Sequence, residues 1–258
     1  MDLIDAISNR HSVREYENEQ VNLDTLEKIE KKISKAERLF KDIDMNVHIV
    51  KDGEKVFKIL NGIISNYGKV KAPHYLVITS EKKHGYLENI GFTLEGIVLE
   101  LTSMGLGSCW IGSGLKENLL NTIIKIPLNN EPIIVIAFGY EKSNKMRKNY
   151  HKRKNIIEFA SGDFQGGWID ILELVRKAPS SMNFQPWRIF KENDIINLYS
   201  IKRKFIAKKL EDLNKIDCGI AASHLLLGAK SFNMDIELKK LFGKNKENLN
   251  YIISAIET

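Results

Sequence analysis

The chain has little cysteine, little proline and no long apolar run. Among 258 residues there are two cysteines, Cys109 and Cys218. At most one disulfide could form, which excludes a small disulfide-stapled scaffold and suits a reducing compartment. Neither cysteine has a partner at metal-ligand spacing, so no metal site is expected. Five prolines and 28% charged residues leave no basis for long disorder or a fibrous repeat. No stretch approaches the roughly 20 apolar residues of a membrane span. The longest apolar runs, such as Pro132 to Phe138, have the length of buried strands. The opening Met-Asp-Leu-Ile-Asp-Ala has no cationic start and no apolar core of the signal-peptide kind. A soluble, cytoplasmic protein with no membrane partner is expected.

What is present is globular. The chain is 43% hydrophobic, and a chain of this length can bury most of its apolar surface as one large domain or two small ones. The net charge is +6, from 39 Lys and Arg against 33 Asp and Glu. A nucleic-acid binder would gather these on one element with interleaved aromatics. The densest basic cluster is Lys145 to Lys154, KMRKNYHKRK. Solvated lysines explain the excess, and a phosphate-bearing small ligand explains a local cluster. No nucleic-acid partner is expected.

Periodicity and turn residues predict a short helix over 2–10. A second helix with Leu26, Ile29 and Ile33 at helical spacing follows, capped by Asn22 or Asp24. Strands are predicted at Val47–Val50, Pro73–Thr79 and Pro132–Phe138, and a helix at Gly53–Asn66. Residues 86–104 read as a long apolar helix ending at Gly105-Leu106-Gly107, where glycine fits a C-cap. SCWIGSG (108–114) and a short helix from Lys116 come next, and 141–155 reads as a polar, basic connector. The second part opens with a helix from Ile169 to Lys177. The run Ala178–Trp187, bracketed by prolines, must be a loop. Arg188 to Phe190 starts a strand, 203–213 and 217–232 read as two helices, and Tyr251–Ile256 is a last strand.

The two parts resemble each other. NIGFTLEGIVLELTSMGL (89–106) aligns without gaps on DCGIAASHLLLGAKSFNM (217–234), with Gly91 on Gly219, Leu99 on Leu227 and Ser103 on Ser231. VHIVKDGEKV (47–56) lies weakly beside WRIFKENDII (187–196). Two buried helices can look alike because both are apolar. The recurrence of strand, helix and long apolar helix in one order favours an internal duplication, packed like a covalent two-fold dimer.

Two segments carry candidate chemistry. If Arg10-His11-Ser12-Val13-Arg14 is extended, Arg10, Ser12 and Arg14 share one side, and two guanidinium groups with a hydroxyl make a phosphate clamp. Alone, the segment reads better as a solvated basic turn. APSSMNFQPW (178–187) sets hydroxyls and amides between prolines beside a large aromatic. Uncharged donors and acceptors suit the edge of a flat heterocycle, or they cap an ordinary turn.

Together these segments resemble the FMN-dependent nitroreductase family. That family carries Arg-x-Ser-x-Arg/Lys, Ala-Pro-Ser-x-x-Asn-x-Gln-Pro-Trp and Gly-Leu-Gly-x-x-Trp-Ile-Gly. Here these are Arg10–Arg14, Ala178–Trp187 and Gly105–Gly112. Their order departs from the family pattern. The Ala-Pro-Ser loop belongs some tens of residues after the arm, where this chain has KAERLFKDIDMN (35–46). Ordinary members are homodimers whose sites take the arm from one subunit and the loop from the other. The resemblance therefore implies a single-chain pseudo-dimer with one complete site. Its fold would be α+β, mainly antiparallel sheet flanked by helices and internally duplicated. A 1–160 half would hold the arm and the Gly-Leu-Gly segment, and a shorter 161–258 half the loop. The chain would act as a monomer.

The resemblance also implies roles. Arg10, Ser12 and Arg14 would hold the FMN phosphate and ribityl chain, His11 acting through its backbone and Arg153 adding a further phosphate contact. Pro179, Ser180, Ser181 and Asn183 would line the flavin from the other half, with Gln185 and Trp187 supporting their loop. Trp110, Ile111 and Gly112 would lie along the ring. The implied activity is FMN-dependent oxidation of NADH or NADPH with reduction of a small electron-poor acceptor such as a nitroaromatic or quinone. Flavin N5 carries the chemistry and no catalytic side chain is required. A flavin-binding buffer or sensor without turnover is the alternative. Dehalogenation or flavin breakdown on the same scaffold is a third reading. Glu95, Glu100, His151 and His224 read as helix-face or surface residues, and Lys202–Leu213 as part of a substrate lid.

Overall fold

The computed structural model describes residues 1–61, 70–112, 117–142, 152–202, 208–241, 244 and 246–257. The first lobe begins with α1 (Leu3–Asn9), whose N-cap Asp2 accepts the Asp5 N–H at 2.7 Å. In α2 (Leu23–Ser34) the cap is Asn22, which accepts the Thr25 N–H at 2.9 Å. There follow β1 (Met45–Val50), α3 (Gly53–Asn61), β2 (His74–Ser80), α4 (Tyr86–Ser103), β3 (Gly107–Ile111), α5 (Glu117–Leu120) and β4 (Glu131–Gly139). The second lobe has α6 (Ile156–Phe159), β5 (Ala160–Ser161), α7 (Gly167–Arg176), β6 (Trp187–Glu192), β7 (Ile195–Ile201), α8 (Lys208–Ser231), β8 (Ile236–Lys239) and β9 (Leu249–Glu257).

The fold is α+β. One sheet has the order β1-β2-β4-β3 and the other β5-β6-β7-β9-β8. Every pairing is antiparallel except the short β5–β6 pair. After β5, the second order repeats the first, and each long helix occupies the same place, α4 between β2 and β3 and α8 between β7 and β8.

These two helices cross at glycine. A Cβ on Gly91 would overlap the Ile216 carbonyl oxygen, and one on Gly219 would overlap the Glu88 carbonyl oxygen. The contact is reciprocal: position 91 meets 216 and 220, and position 219 meets 88 and 92. Both helices also end alike. Leu106 N–H bonds to Leu101 O and Met234 N–H to Ala229 O, at 2.9 Å each. The residue that turns the chain is left-handed in both, Gly105 at φ 79° and Asn233 at φ 54°. Buried side chains of both lobes, Leu94 and Val98 with Leu225 and Ile253 among them, form one hydrophobic cluster.

The structure departs from the sequence reading in several places. The helices expected at 203–213 and 217–232 form one helix over Lys208–Ser231, with 203–207 outside the described residues. The helix expected to reach Asn66 is described to Asn61. Residues 143–151, which hold His151 and most of the basic cluster, lie outside the description. The sequence reading holds no strand at β3, β5, β7 or β8. Asn193, at φ 55°, and Asp194 join β6 to β7 as a two-residue hairpin turn. The expected boundary at residue 160 falls in β5, where Ala160 pairs with Ile189.

Candidate functional site

The arm begins where α1 stops. Arg10 is the C-cap of α1, and its side chain turns inward, 6% exposed, with Nε 3.8 Å from Glu95 Oε1. Burial lowers the Arg10 pKa, and the Glu95 charge opposes that shift. Among the described residues Arg10 Nε has no hydrogen-bond partner. Downstream, the Val13 N–H donates to Ser108 O at 2.9 Å, and Ser12 bridges to Ser108, so the arm lies along β3. His11 contributes its side chain to the scaffold, with Nε2 2.9 Å from Glu141 Oε1.

On β3 the side chains alternate. Ile111 packs into the core with Val13 and Tyr16. Trp110 faces the other way and donates from Nε1 to Glu95 Oε2 at 3.3 Å. Gly112 is exposed, with the Leu213 side chain of α8 against it. That contact brings part of the expected lid beside the end of β3.

The loop after α7 is a strained piece of backbone. Met182, Asn183 and Gln185 have φ of 51°, 57° and 49°, a left-handed region that costs a non-glycine residue about 1–2 kcal/mol. Several bonds hold it there. Ser180 Oγ accepts the Gln185 N–H at 2.9 Å. The Ser181 N–H points between both carboxylate oxygens of Asp217, at 3.1 Å each. Gln185 Oε1 accepts the Lys154 N–H at 2.8 Å, and its amide donates to Lys152 O at 3.3 Å. Pro179 is half-buried and Trp187 wholly buried. Gln185 thus braces the loop, and Trp187 packs into the hydrophobic core where the loop ends.

Arg153, just before α6, is bonded into this loop. It donates to Ala178 O at 2.9 Å, to Lys177 O at 3.2 Å and to Asn183 Oδ1 at 3.0 Å. Asn183 also donates to Lys152 O at 2.8 Å. Burial brings the Arg153 pKa down to about 10, helped by the charges of Arg10 and Arg176. The structure therefore brings Arg10, Trp110, Arg153 and the 178–187 loop into one neighbourhood. Arg14 diverges from Arg10: it is exposed, with one bond to Ser12 O at 3.4 Å. It borders a separate cleft of about 410 Å³ with Tyr16, Asp52, Lys71 and Lys142, which neither Arg10 nor the loop lines.

Sequence reasoning missed Glu95 and His224. They are not surface residues. Both have no exposed side chain, and they meet across the crossing of α4 and α8, with His224 Nε2 3.1 Å from Glu95 Oε1. The available signal was their setting. A charged residue in a helix that is apolar all round has no solvent face and must find a partner inside. Glu100 does lie at the surface and pairs with Lys32 at 2.7 Å.

Arg10 lies against the buried Glu95 carboxylate with its Nε unsatisfied among the described residues, and the charge of Arg10 is felt at Arg153. Such a place fits an anionic group, and a phosphate monoester meets the need with oxygen acceptors. The hydroxyls and amides of the loop fit the uncharged remainder of FMN. Among the described residues no cluster of His, Cys, Asp and Glu could hold a metal ion, and no helix is long and apolar enough to cross a membrane.

Known proteins agree with this architecture. The family described as "Putative TM nitroreductase" matches residues 2–229. The chain belongs to that family. Across its whole length this nitroreductase-family chain is similar to a crystal structure of a Thermotoga maritima protein described as a putative nitroreductase. The identity is 24%, the TM-score is 0.68, and 94% of that chain is covered. Two curated relatives are each named "Putative NADH dehydrogenase/NAD(P)H nitroreductase". The one from Archaeoglobus fulgidus is 24% identical over 148 residues, 54% of this chain and 85% of its own length. The one from Methanothermobacter thermautotrophicus is 26% identical over 154 residues, 56% of this chain and 80% of its own length. Family membership makes the chain a nitroreductase-like oxidoreductase.

Proposed function

We propose that the chain is an FMN-dependent NAD(P)H oxidoreductase that reduces small electron-poor acceptors such as nitroaromatics or quinones. The observation that carries this reading is the convergence of Arg10 and Arg153 beside a strained loop of the Ala-Pro-Ser type. When bound, the flavin supplies hydride transfer between a reduced nicotinamide and the acceptor. The chain's own residues bind and orient. Arg10 and Arg153 take the phosphate, with Ser12 beside the tail, while Arg14, exposed at the separate cleft, stands outside this group. Pro179, Ser180, Ser181 and Asn183 edge the rings from the second lobe. Trp110, Ile111 and Gly112 run along the ring with backbone donors, which need no reorganisation as charge develops.

We further infer that the two lobes are a duplicated pair and that the chain works as a monomer with one flavin. The reciprocal Gly91 and Gly219 contacts support this. So does the match of most of the Archaeoglobus relative to about half of this chain. In the first lobe, residues 35–46 lack the loop motif.

The test is optical. Purified chain supplied with FMN turns yellow at one flavin per chain, bleaches anaerobically with NADH or NADPH, and recolours with a nitroaromatic or quinone. Failure to bleach with either nicotinamide would leave a flavin-binding protein without turnover. Saturation at two flavins per chain would refute the single site.

A further inference from the structure

The hydrogen bonds of His224 fix a proton count. Its Nδ1 is 2.9 Å from Leu174 O, and a carbonyl oxygen only accepts, so Nδ1 carries a hydrogen. Its Nε2 is 3.1 Å from Glu95 Oε1. An imidazole protonated only at Nδ1 presents a lone pair at Nε2. Facing a bare carboxylate, it would set acceptor against acceptor where neither side chain has any exposure. One proton therefore lies between Nε2 and Oε1. Wherever it rests along that line, the pair has no net charge.

This decides how much positive charge the arm retains. Glu95 Oε1 lies 3.8 Å from Arg10 Nε and its charge also reaches Arg153, so an uncompensated carboxylate there would cancel one positive charge. With its compensation supplied by His224, two positive charges remain. A phosphate monoester carries about −1.5 to −2 at neutral pH, so the charges match. The arrangement occurs on one side only. The alignment that sets Gly91 on Gly219 sets Ser223 opposite Glu95 and Gly96 opposite His224.

We propose that His224 neutralises Glu95, leaves Arg10 and Arg153 uncompensated, and thereby makes the site select a phosphorylated flavin over an unphosphorylated one. His224 is a positioning residue here, acting through Glu95 without touching the ligand. The inference rests on the flavin reading above.

Dissociation constants for FMN and riboflavin, measured by flavin fluorescence on the full chain, test it. The wild-type chain prefers FMN. In His224→Gln the amide can still donate to Glu95 but brings no charge. FMN affinity should fall at least about tenfold, with riboflavin affinity within about threefold, because only the phosphate feels the lost charge. Adding Glu95→Gln to that variant should restore FMN binding. Glu95→Gln alone should keep the FMN-to-riboflavin preference within about threefold of wild type, since it removes a charge already compensated.

Equal losses for both flavins in His224→Gln would mean a merely structural role and overturn the proposal. A rise of about tenfold or more in FMN preference for Glu95→Gln would also overturn it, by showing Glu95 uncompensated in the wild type. That arm decides the matter even if His224→Gln does not fold. Equal wild-type affinity for the two flavins sinks only this proposal. Binding of neither sinks the flavin reading, and this proposal with it.

Discussion

Asp217 receives the Ser181 N–H on both its carboxylate oxygens, at 3.1 Å each. In the other lobe Asn89, which aligns with Asp217, accepts the Phe40 N–H at 2.9 Å. Each long helix thus holds the loop that precedes a corresponding strand, β1 or β6, one with an amide and one with an ionisable group. Burial raises the Asp217 pKa from 3.8 to about 8, against the pull of the Ser181 N–H.

Unfolding returns this carboxyl to its ordinary range. Between 3.8 and about 8 the folded chain keeps a proton that the unfolded chain has lost. Stability contributed by this group therefore falls as pH rises through that window, by at most about 1.4 kcal/mol per pH unit. Asp217→Asn keeps an acceptor for Ser181, as Asn89 does for Phe40. The variant should flatten the decline of the unfolding midpoint between pH 5.5 and 8.5. An identical decline in both proteins would remove Asp217 as its source.

The helix crossing gives a prediction with opposite signs at two glycines of one helix, Gly91 and Gly96. Gly91→Ala forces a methyl group into the Ile216 backbone. Overpacking of this kind costs about 1–3 kcal/mol. Gly96 is in the same helix, and a Cβ there meets nothing within 4 Å. Gly96→Ala should stabilise by about 0.5–1 kcal/mol through helix propensity alone. Urea unfolding of the two variants checks both signs.

Losing one charge-assisted phosphate contact costs about 1.5–3 kcal/mol. Arg10→Ala should weaken FMN binding by that amount, and retention of stoichiometric flavin would contradict the assigned arm. Arg153→Ala should weaken it and also destabilise the fold, because three buried acceptors lose their donor. Arg153→Lys should rescue little, since one ammonium cannot reproduce the guanidinium fork.

Met182 is left-handed at φ 51° and 62% exposed. Its side chain gives up little on removal. Met182→Gly relieves a cost of about 1–2 kcal/mol and pays about 0.5–1 kcal/mol in backbone entropy. The unfolding midpoint should rise slightly, with FMN affinity intact. A loss of flavin would mean that the methionine side chain itself takes part.

Much of this could be read from the chain. Asn22 announced α2, and Gly105 announced the end of α4. The prolines around Ser180 announced a loop, because each signal acts through local backbone chemistry. Arg10 and Arg153 were named from the family resemblance, Arg10 on a motif and Arg153 on a looser alignment. Their partner Glu95 and the meeting of Glu95 with His224 were not. That contact joins residues far apart in sequence, and only the crossing of two helices creates it. Arg14 misled for a related reason. Alternation puts the two arginines on one side, but the Arg10 side chain is buried against Glu95 while Arg14 is exposed at a separate cleft, so they part company. Strand β7 was missed because the Asn193-Asp194 turn was not recognised as a hairpin.

The two helices that meet at Gly91 and Gly219 belong to one polypeptide. In a protein assembled from identical copies, every substitution is made twice, once on each side of the axis. Here each side changes alone. On the duplicated reading proposed above, a histidine can stand beside Glu95 with glycine kept at the aligned position 96, and one flank is free to specialise while the other drifts.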